Sequence, residues 1–397
     1  MTTLSFEIRN TVNVNGDTEQ IDGSYNNIIE RLRITSNGGV DLEDTRNYGH
    51  LHQALSNVKY GITTRVAKYG EGFGMVNTRG ASYGTGEIPL ANNGGTQIVH
   101  IPLISALIGS SASKYLPLFA IPHLQLELQI ANNCFISSIQ NVVAVAAVQG
   151  GAAAIVGVTP PENSFQISNV CLNCQIIEFP QEVNDSLLRM ISTSGIYLHA
   201  TTFSNFVQSF PVGTNNPTIV ISERLKSVKS ILNIFTPSSR TNTNRRMFSH
   251  ISNNISGYQI KIGSDLYPAQ KIGDNGSNSD SSLLNADFIT QTLMGLGEYN
   301  SIYCQSIMNN ETFSVQTPDD GNYGICSANV VNRTMYGIDL DAFSMSPIES
   351  GVNAIINSPI SIHFTGGKQI IAYDAHTFIM HDVLFSLLPN GSFVVSK

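Results

Sequence analysis

The segment Gly109–Asn133 (GSSASKYLPLFAIPHLQLELQIANN) constrains the fold more than any other stretch of its length. From residue 124 to residue 130, Leu or Ile at the even positions alternates with Gln or Glu at the odd positions. Alternation with a period of two places the apolar set on one face of a β-strand. Pro117 and Pro122 interrupt the approach to this strand and exclude a continuous helix. The segment therefore predicts a half-buried strand with an approach shaped by proline.

Other segments show the same alternation, or short apolar runs bounded by turn residues. They are Thr96–Leu103, Val170–Phe179, Val228–Phe235, Tyr258–Ile262 and Ile360–Phe364. Near the end of the chain, a strand over Phe378–Leu388 is followed by Pro389–Gly391 and by a second strand that contains Phe393 and Val395. Because Asn-Gly is a strong signal for a tight turn, this arrangement predicts a β-hairpin.

Helices are expected only as short segments, around Val183–Ile191 and around Ala286–Met294. At 397 residues the chain is longer than one hydrophobic core usually fills. We therefore predict two domains, residues 1–185 and residues 186–397, with the junction within Phe179–Ile196. Many short strands, few helices and two domain lengths indicate an all-β protein made of paired β-sandwiches.

The charge of the chain argues against a protein that follows the phosphates of a nucleic acid. The sequence has 21 Lys and Arg against 29 Asp and Glu, a formal net charge of -8, and no basic arm at its N-terminus. Two local basic clusters are expected to be solvated or interfacial loop charges. They are Arg224, Lys226 and Lys229, and then Arg240, Arg245 and Arg246. Charged residues make up only 13% of the chain, against about 25% in an ordinary domain, which suits extensive contact between copies.

Two segments are predicted to contain a turn or a loop. Val142–Val158 (VVAVAAVQGGAAAIVGV) consists of small apolar residues around a central Gln-Gly-Gly. It is better explained as two short strands around a turn than as a membrane span, and a membrane-active loop is the alternative. Asp274–Ser282 (DNGSNSDSS) has the composition of an exposed loop. The N-terminus lacks a basic region followed by an apolar core, so a secretory signal peptide is not expected.

No catalytic, cofactor-binding or metal-binding residue is predicted. Cys171 and Cys174 form a CxxC, but they lie in a segment that reads as extended, where residues three apart point to opposite faces. His50 and His52 could share one face of a strand, yet no further ligand completes a metal site. The late histidines His376 and His381 flank a predicted strand and have no evident partner. The signatures of nucleotide-binding, hydrolase and metalloprotease sites are absent from the sequence.

Four segments together resemble the double jelly-roll major capsid proteins of tailless double-stranded DNA viruses, which include the tectivirus, adenovirus-like, virophage and Polinton-like lineages. Ile101–Asn133 is similar to late strands of a first jelly roll, and Phe165–Glu182 to the passage between two rolls. Gly257–Ile272 resembles a strand-turn-strand unit of the second roll. Tyr336–Lys397 carries MYGIDLDAF, SGVNAIINSPISIHF and the closing hairpin in the order usual for that family.

This resemblance implies two consecutive eight-stranded jelly rolls with a few short helices in loops. It also implies a structural role without enzymatic activity: a homotrimer with six similar lobes that tiles an icosahedral shell as a pseudo-hexagonal capsomer. The expected partners are copies of the chain, neighbouring capsomers, a penton protein and minor capsid proteins, with an internal membrane as a further candidate partner. Direct sequence-specific binding of nucleic acid is not expected. The expected location is the virion, after synthesis and assembly inside the host cell.

Two other classes of protein share part of this composition. A non-coat viral β-sandwich protein, such as a receptor-binding spike or lectin-like adhesin, is the main alternative. A sugar-binding protein usually stacks its ligand on aromatic side chains, and the absence of Trp disfavours it. A cupin-type metalloenzyme needs a tight cluster of His and Glu, whereas the nine histidines are scattered along the chain.

Overall fold

The fold is taken from a computed structural model, and its description covers only part of the chain. The described residues are 3–10, 18–22, 25–36, 39–60, 87–89, 96–109, 116–121, 123–131, 136–139, 165–238, 250, 255–273, 281–297, 308, 325–326, 330–331, 334–341, 350–355, 359–366, 372–389 and 391–397. Every structural statement below concerns these residues.

The first half of the chain forms three small antiparallel sheets. Its strands are β1 (Thr3–Asn10), β2 (Thr18–Asp22), β3 (Ile29–Ser36), β4 (Val40–Arg46), β5 (Glu87–Pro89), β6 (Thr96–Pro102), β7 (Gln125–Ile130), β8 (Ile136–Ile139) and β9 (Phe165–Asn173). The strand orders are β6-β1-β9, β5-β2-β8 and β4-β3-β7. A 3-10 turn at Tyr25–Ile28 precedes β3, and helix α1 (Tyr48–Lys59) follows β4.

The second half begins after helix α2 (Gln181–Ser194) and forms two larger sheets. Its strands are β10 (Ile196–Phe210), β11 (Thr218–Ile221), β12 (Val228–Pro237), β13 (Ile255–Ile262), β14 (Asp265–Ile272), β15 (Ile325–Cys326), β16 (Val330–Val331), β17 (Tyr336–Asp339), β18 (Ile360–Gly366), β19 (Tyr373–Leu387) and β20 (Phe393–Ser396). One sheet has the order β10-β19-β12-β17 with β20 paired to β19, and the other has the order β11-β18-β13-β14. Helix α3 (Ser281–Gly295) packs on β17.

The core of the second half lies between its two sheets. Phe235 on β12 contacts Phe364 on β18 and Tyr373 on β19, with ring centroids 5.1 and 5.5 Å apart. Tyr258 on β13 packs edge-on against Tyr336 on β17 at 5.6 Å. These rings meet between the two sheets, and every residue of β12 is buried. The first and last long strands, β10 and β19, pair along their whole length, which places β10 at one end of the strand order through pairing distant in sequence.

Most of the predicted elements are confirmed. On β7 the side chains of Leu126 and Leu128 are half-buried against the core, while the intervening Gln and Glu side chains are exposed. The C-terminal hairpin and the strand-turn-strand of residues 257–272 are both present. The two predicted helices are present and longer than expected, as α2 and α3. The second half of the Val170–Phe179 strand is wrong, because β9 ends at Asn173 and the chain then continues without strand pairing to residue 180.

The two halves are packed together. Leu51 and Leu55 of α1 belong to the same apolar cluster as the core of the second half. A further cluster joins Ile34 and Leu42 of the first half to Phe385 on β19. The protein is mostly β, as predicted. The domain boundary after residue 185 and the count of eight strands per roll stay predictions.

Candidate assembly surface

A buried carboxylate joins the two halves. Glu43 on β4 is almost fully buried and accepts three hydrogen bonds. Ser105 Oγ donates to Oε2 at 2.5 Å, the backbone N–H of Ala106 donates to Oε1 at 2.9 Å, and Thr202 Oγ1 on β10 donates to Oε1 at 3.1 Å. Burial raises the pKa of Glu43, because removal from water disfavours the charged form more than these donors favour it. The carboxyl group therefore links β4 and the 105–106 backbone to the first strand of the second half.

The interpretation of His50 and His52 as neighbours on one strand face is wrong. Both lie on helix α1, where residues two apart are separated by about 200° around the axis. The ring of His50 instead stacks on His376 of β19, with centroids 4.4 Å apart. The Nε2 atom of His376 is 3.0 Å from Thr236 Oγ1, and burial lowers the pKa of His376 to about 4. This histidine is therefore neutral at pH 7 and structural.

The late histidines were expected to flank a strand and to have no partner, and this is wrong. Both His376 and His381 lie within β19 and are buried. The Nδ1–H of His381 donates to the carbonyl of Asp382 at 3.0 Å, and its Nε2 lies 3.0 Å from Ser204 Oγ on β10. Burial lowers the pKa of His381 to about 4. The neutral imidazole of His381 therefore links β19 to β10 within one sheet.

Lys229 does not belong to a solvated or interfacial loop, contrary to expectation. It lies within β12, is buried, and places its Nζ 3.0 Å from Asp382 Oδ1 and 3.9 Å from Asp341 Oδ2. Arg224 and Lys226, from the same sequence cluster, are exposed. A buried lysine needs such partners, because an unpaired charge away from water is costly. The second basic cluster, Arg240, Arg245 and Arg246, lies outside the described residues.

Cys171 and Cys174 are exposed; Cys171 lies on β9, in keeping with the predicted extended segment, whereas Cys174 follows the end of that strand. Among the described residues, His, Cys, Asp and Glu side chains form no group of three that could hold a metal ion. Within the same part of the chain, none of the helices is both long and apolar enough to span a membrane. The segment Val142–Val158 lies outside the described residues, as does 274–280 of the predicted loop Asp274–Ser282. The last two residues of that loop begin α3.

The most unusual surface lies in the segment that connects the two halves in the sequence. Every residue from Asn169 to Val183 is exposed, although many of them are apolar. We call the exposed apolar side chains of this region the linker surface, comprising Val170, Leu172, Ile176, Ile177, Phe179, Val183, Leu188 and Met190. Each of these side chains has an exposed fraction between 41% and 71%. So many exposed apolar side chains within residues 170–190, unlike a single exposed apolar residue, indicate a contact site.

Local sequence explains why the linker surface is presented in this way. Pro180 precedes α2 and accepts hydrogen bonds from the N–H groups of Val183 and Asn184, which begins the helix. Gly195 ends it with a φ of 73°, a conformation that favours glycine. Only Ile191 of α2 is buried, in the cluster that contains Phe385. The helix is thus attached at its C-terminal end, and the rest of its apolar side faces solvent.

Comparison of the whole fold with solved structures defines its class: the chain has the double jelly-roll fold of viral major capsid proteins. It is similar to the cryo-EM structure of the Sputnik virophage, with a TM-score of 0.55, 13% identity, and coverage of 100% of this chain and 82% of that chain. The PBCV-1 virus capsid gives a TM-score of 0.54 at 10% identity, with 100% and 89% covered. The faustovirus major capsid protein gives 0.50 at 9% identity, with 96% and 77% covered.

These similarities extend over 96–100% of this chain and 77–89% of the chains compared. No protein-family model and no curated protein matches the sequence. The fold resemblance predicted from the four sequence segments is therefore confirmed by three-dimensional structure alone. At such low identity, shared architecture rather than shared residues carries the relationship.

Proposed function

We propose that this chain is a major capsid protein, a structural subunit whose homotrimers form pseudo-hexagonal capsomers that tile an icosahedral virion shell. The observation that carries the proposal is the double jelly-roll fold over the whole chain, matched to capsid proteins along most of their own lengths. Two rolls in each of three copies produce six similar lobes, a shape that packs in a hexagonal lattice.

The surface chemistry supports this role. Only 13% of residues are charged, and the linker surface exposes apolar side chains that an isolated chain leaves in water. Burial of such a surface between copies removes apolar area from water and desolvates few ions. The role is structural and non-enzymatic, in keeping with the capsid proteins that share the fold.

The partners that follow from this proposal are neighbouring capsomers, a penton protein at the vertices and minor capsid proteins. An internal membrane beneath the shell is a further candidate partner, and sequence-specific binding of nucleic acid is not part of the role. The protein acts in the virion, after synthesis and assembly inside the host cell.

Native mass measurement of the full chain tests the proposal. Three copies of a 42.9 kDa chain predict a species of about 129 kDa, and electron microscopy of concentrated protein should show six-lobed particles. A non-coat viral β-sandwich protein, such as a spike or lectin-like adhesin, predicts a different outcome. A monomer that persists from dilute to concentrated solution and binds a glycan array would overturn the capsid role.

A further inference from the structure

The linker surface is large enough to form a specific interface. Its eight apolar side chains, each about half exposed, together expose on the order of 700 Å². The largest apolar patch on a typical monomer is roughly 300–600 Å², whereas one partner in a standard protein interface contributes roughly 800 Å². If a partner buries these side chains together, the area is comparable to the share of one partner in a standard interface.

The described part of the chain does not cover this surface. The residues from Asn169 to Val183 are all exposed, and α2 buries only Ile191. The turn at residues 116–121 also leaves apolar side chains exposed: Ile121 packs in the same cluster as Ile191, whereas Leu118 and Phe119 remain exposed. Within the described residues the surface is therefore open to another molecule.

The charges indicate which molecule this is. Between Val170 and Met190 the charged residues are Glu178, Glu182, Asp185 and Arg189. This small negative balance disfavours an anionic lipid surface, which attracts clusters of Lys and Arg. Because the stretch carries charges of both signs, Arg189 of one copy can pair with an acidic side chain on the facing surface of the next copy, which in a three-fold trimer is a different surface.

We propose that the linker surface is covered by a second copy of this chain within the trimer. This inference rests on the proposed capsid role and assigns to residues 170–190 the part of the subunit that holds the copies together. Apolar side chains supply the stability of the contact, and the few charges of mixed sign orient it.

A pair of matched double variants tests the inference in the full chain. Ile176→Ser with Leu188→Gln removes apolar side chains that are 71% and 44% exposed in the single chain. Val212→Ser with Leu266→Gln makes the same kind of change in the second half, at side chains that are 61% and 47% exposed. Analytical ultracentrifugation over a range of concentrations measures the trimer–monomer equilibrium, and circular dichroism checks folding.

The linker variant should lower the association constant for trimer formation by about a hundredfold, or about tenfold for each side chain, while the control variant remains trimeric. Both variants should retain the circular dichroism spectrum and the unfolding temperature of the dissociated wild-type chain, since all four side chains are exposed in it.

The thiols of Cys171 and Cys174 provide a second measurement that does not depend on substitution. Both are exposed in the single chain and lie within the linker region. Maleimide labelling, with the modified residues located by mass spectrometry, should be at least about tenfold slower in the wild-type trimer than in the dissociated linker variant, because assembly covers them.

The outcomes separate the inference from the proposed function. If the wild-type chain is a trimer, and the linker variant forms trimers of equal strength whose thiols react at the same rate as in the monomer, the inference is wrong and the capsid role stands. If the wild-type chain is a monomer at every concentration, both are wrong. Loss of trimers only in the linker variant, with slow labelling in the wild type, supports both.

Discussion

Replacement of Glu43 by Ala should destabilise the chain strongly, because this side chain joins the two halves through three hydrogen bonds. The substitution leaves the Ala106 N–H, the Ser105 hydroxyl and the Thr202 hydroxyl without their common acceptor. All three residues lie in a region from which water is excluded, so a solvent molecule does not readily replace the carboxylate.

The size of the effect follows from these contacts. The N–H of Ala106 is fixed by the backbone and loses its partner entirely, which costs about 1–3 kcal/mol. The two hydroxyl groups can rotate towards other acceptors, and each loses about 1 kcal/mol. The expected loss in the free energy of unfolding for Glu43→Ala is therefore about 3–5 kcal/mol, with the small cavity placing it towards the upper end.

Equilibrium unfolding in urea, at one protein concentration and pH 7, measures this loss. Glu127→Ala is the matched control, because Glu127 on β7 is an exposed carboxylate 3.4 Å from Arg33, and such an exposed pair adds little stability. If Glu43→Ala lost no more stability than Glu127→Ala, the buried carboxylate would not join the two halves as described.

The dependence on pH provides an independent check through Glu43→Gln, which keeps the shape and removes the titration. Burial raises the pKa of Glu43 in the folded chain above its ordinary value of 4.5, so the folded state binds the proton more tightly than the unfolded state. The stability linked to this proton is complete below pH 4.5 and is lost as the pH rises through the folded pKa. Relative to Glu43→Gln, the wild-type chain should therefore be most stable near pH 4 and lose that advantage towards neutral pH.

Two further substitutions test the packing of the second half by the same urea measurement. Lys229→Ala should lower the free energy of unfolding by about 3–5 kcal/mol, because it leaves the buried carboxylate of Asp382 without its cationic partner. Addition of Asp382→Asn should recover part of this loss. Equal losses in the single and double variants would contradict the ion pair. Gly195→Ala should lower the free energy of unfolding by about 2 kcal/mol more than Gly213→Ala. Both glycines have a positive φ, so both substitutions strain the backbone, but only at Gly195 would the new Cβ lie 2.6 Å from the carbonyl oxygen of Leu387. Equal losses at the two glycines would show that the contact with Leu387 is relieved by a backbone shift.

Helix α1 shows a signal that sequence reasoning missed. Leu51, Ala54, Leu55 and Val58 recur at the spacing of one helix face, and all four are buried in the core of the second half. The two histidines in the first turn instead suggested a strand. The spacing of the four apolar residues predicts a helix, but it does not show that this helix packs against the second half.

The secondary structure around the linker surface was predicted in part. The sequence indicated extended chain near Cys171 and a helix after Pro180, and both are present. It also indicated a strand through Phe179, because apolar residues in an extended segment normally lie in a sheet. The structure instead ends β9 at Asn173 and leaves the following apolar residues exposed. Exposure depends on what other parts of the chain reach the segment, and no local pattern records this.

By itself, the sequence determined the β class, the C-terminal hairpin, the positions of α2 and α3, and the resemblance to double jelly-roll capsid proteins. These features follow from alternation, turn residues and helical spacing, which act over a few neighbouring residues. Only the tertiary structure decided that Glu43 meets Thr202 and that His50 stacks on His376. These partners lie far apart in the sequence. They meet because β10 and β19, which carry Thr202 and His376, pair side by side in one sheet, and β4 and α1 pack against that sheet.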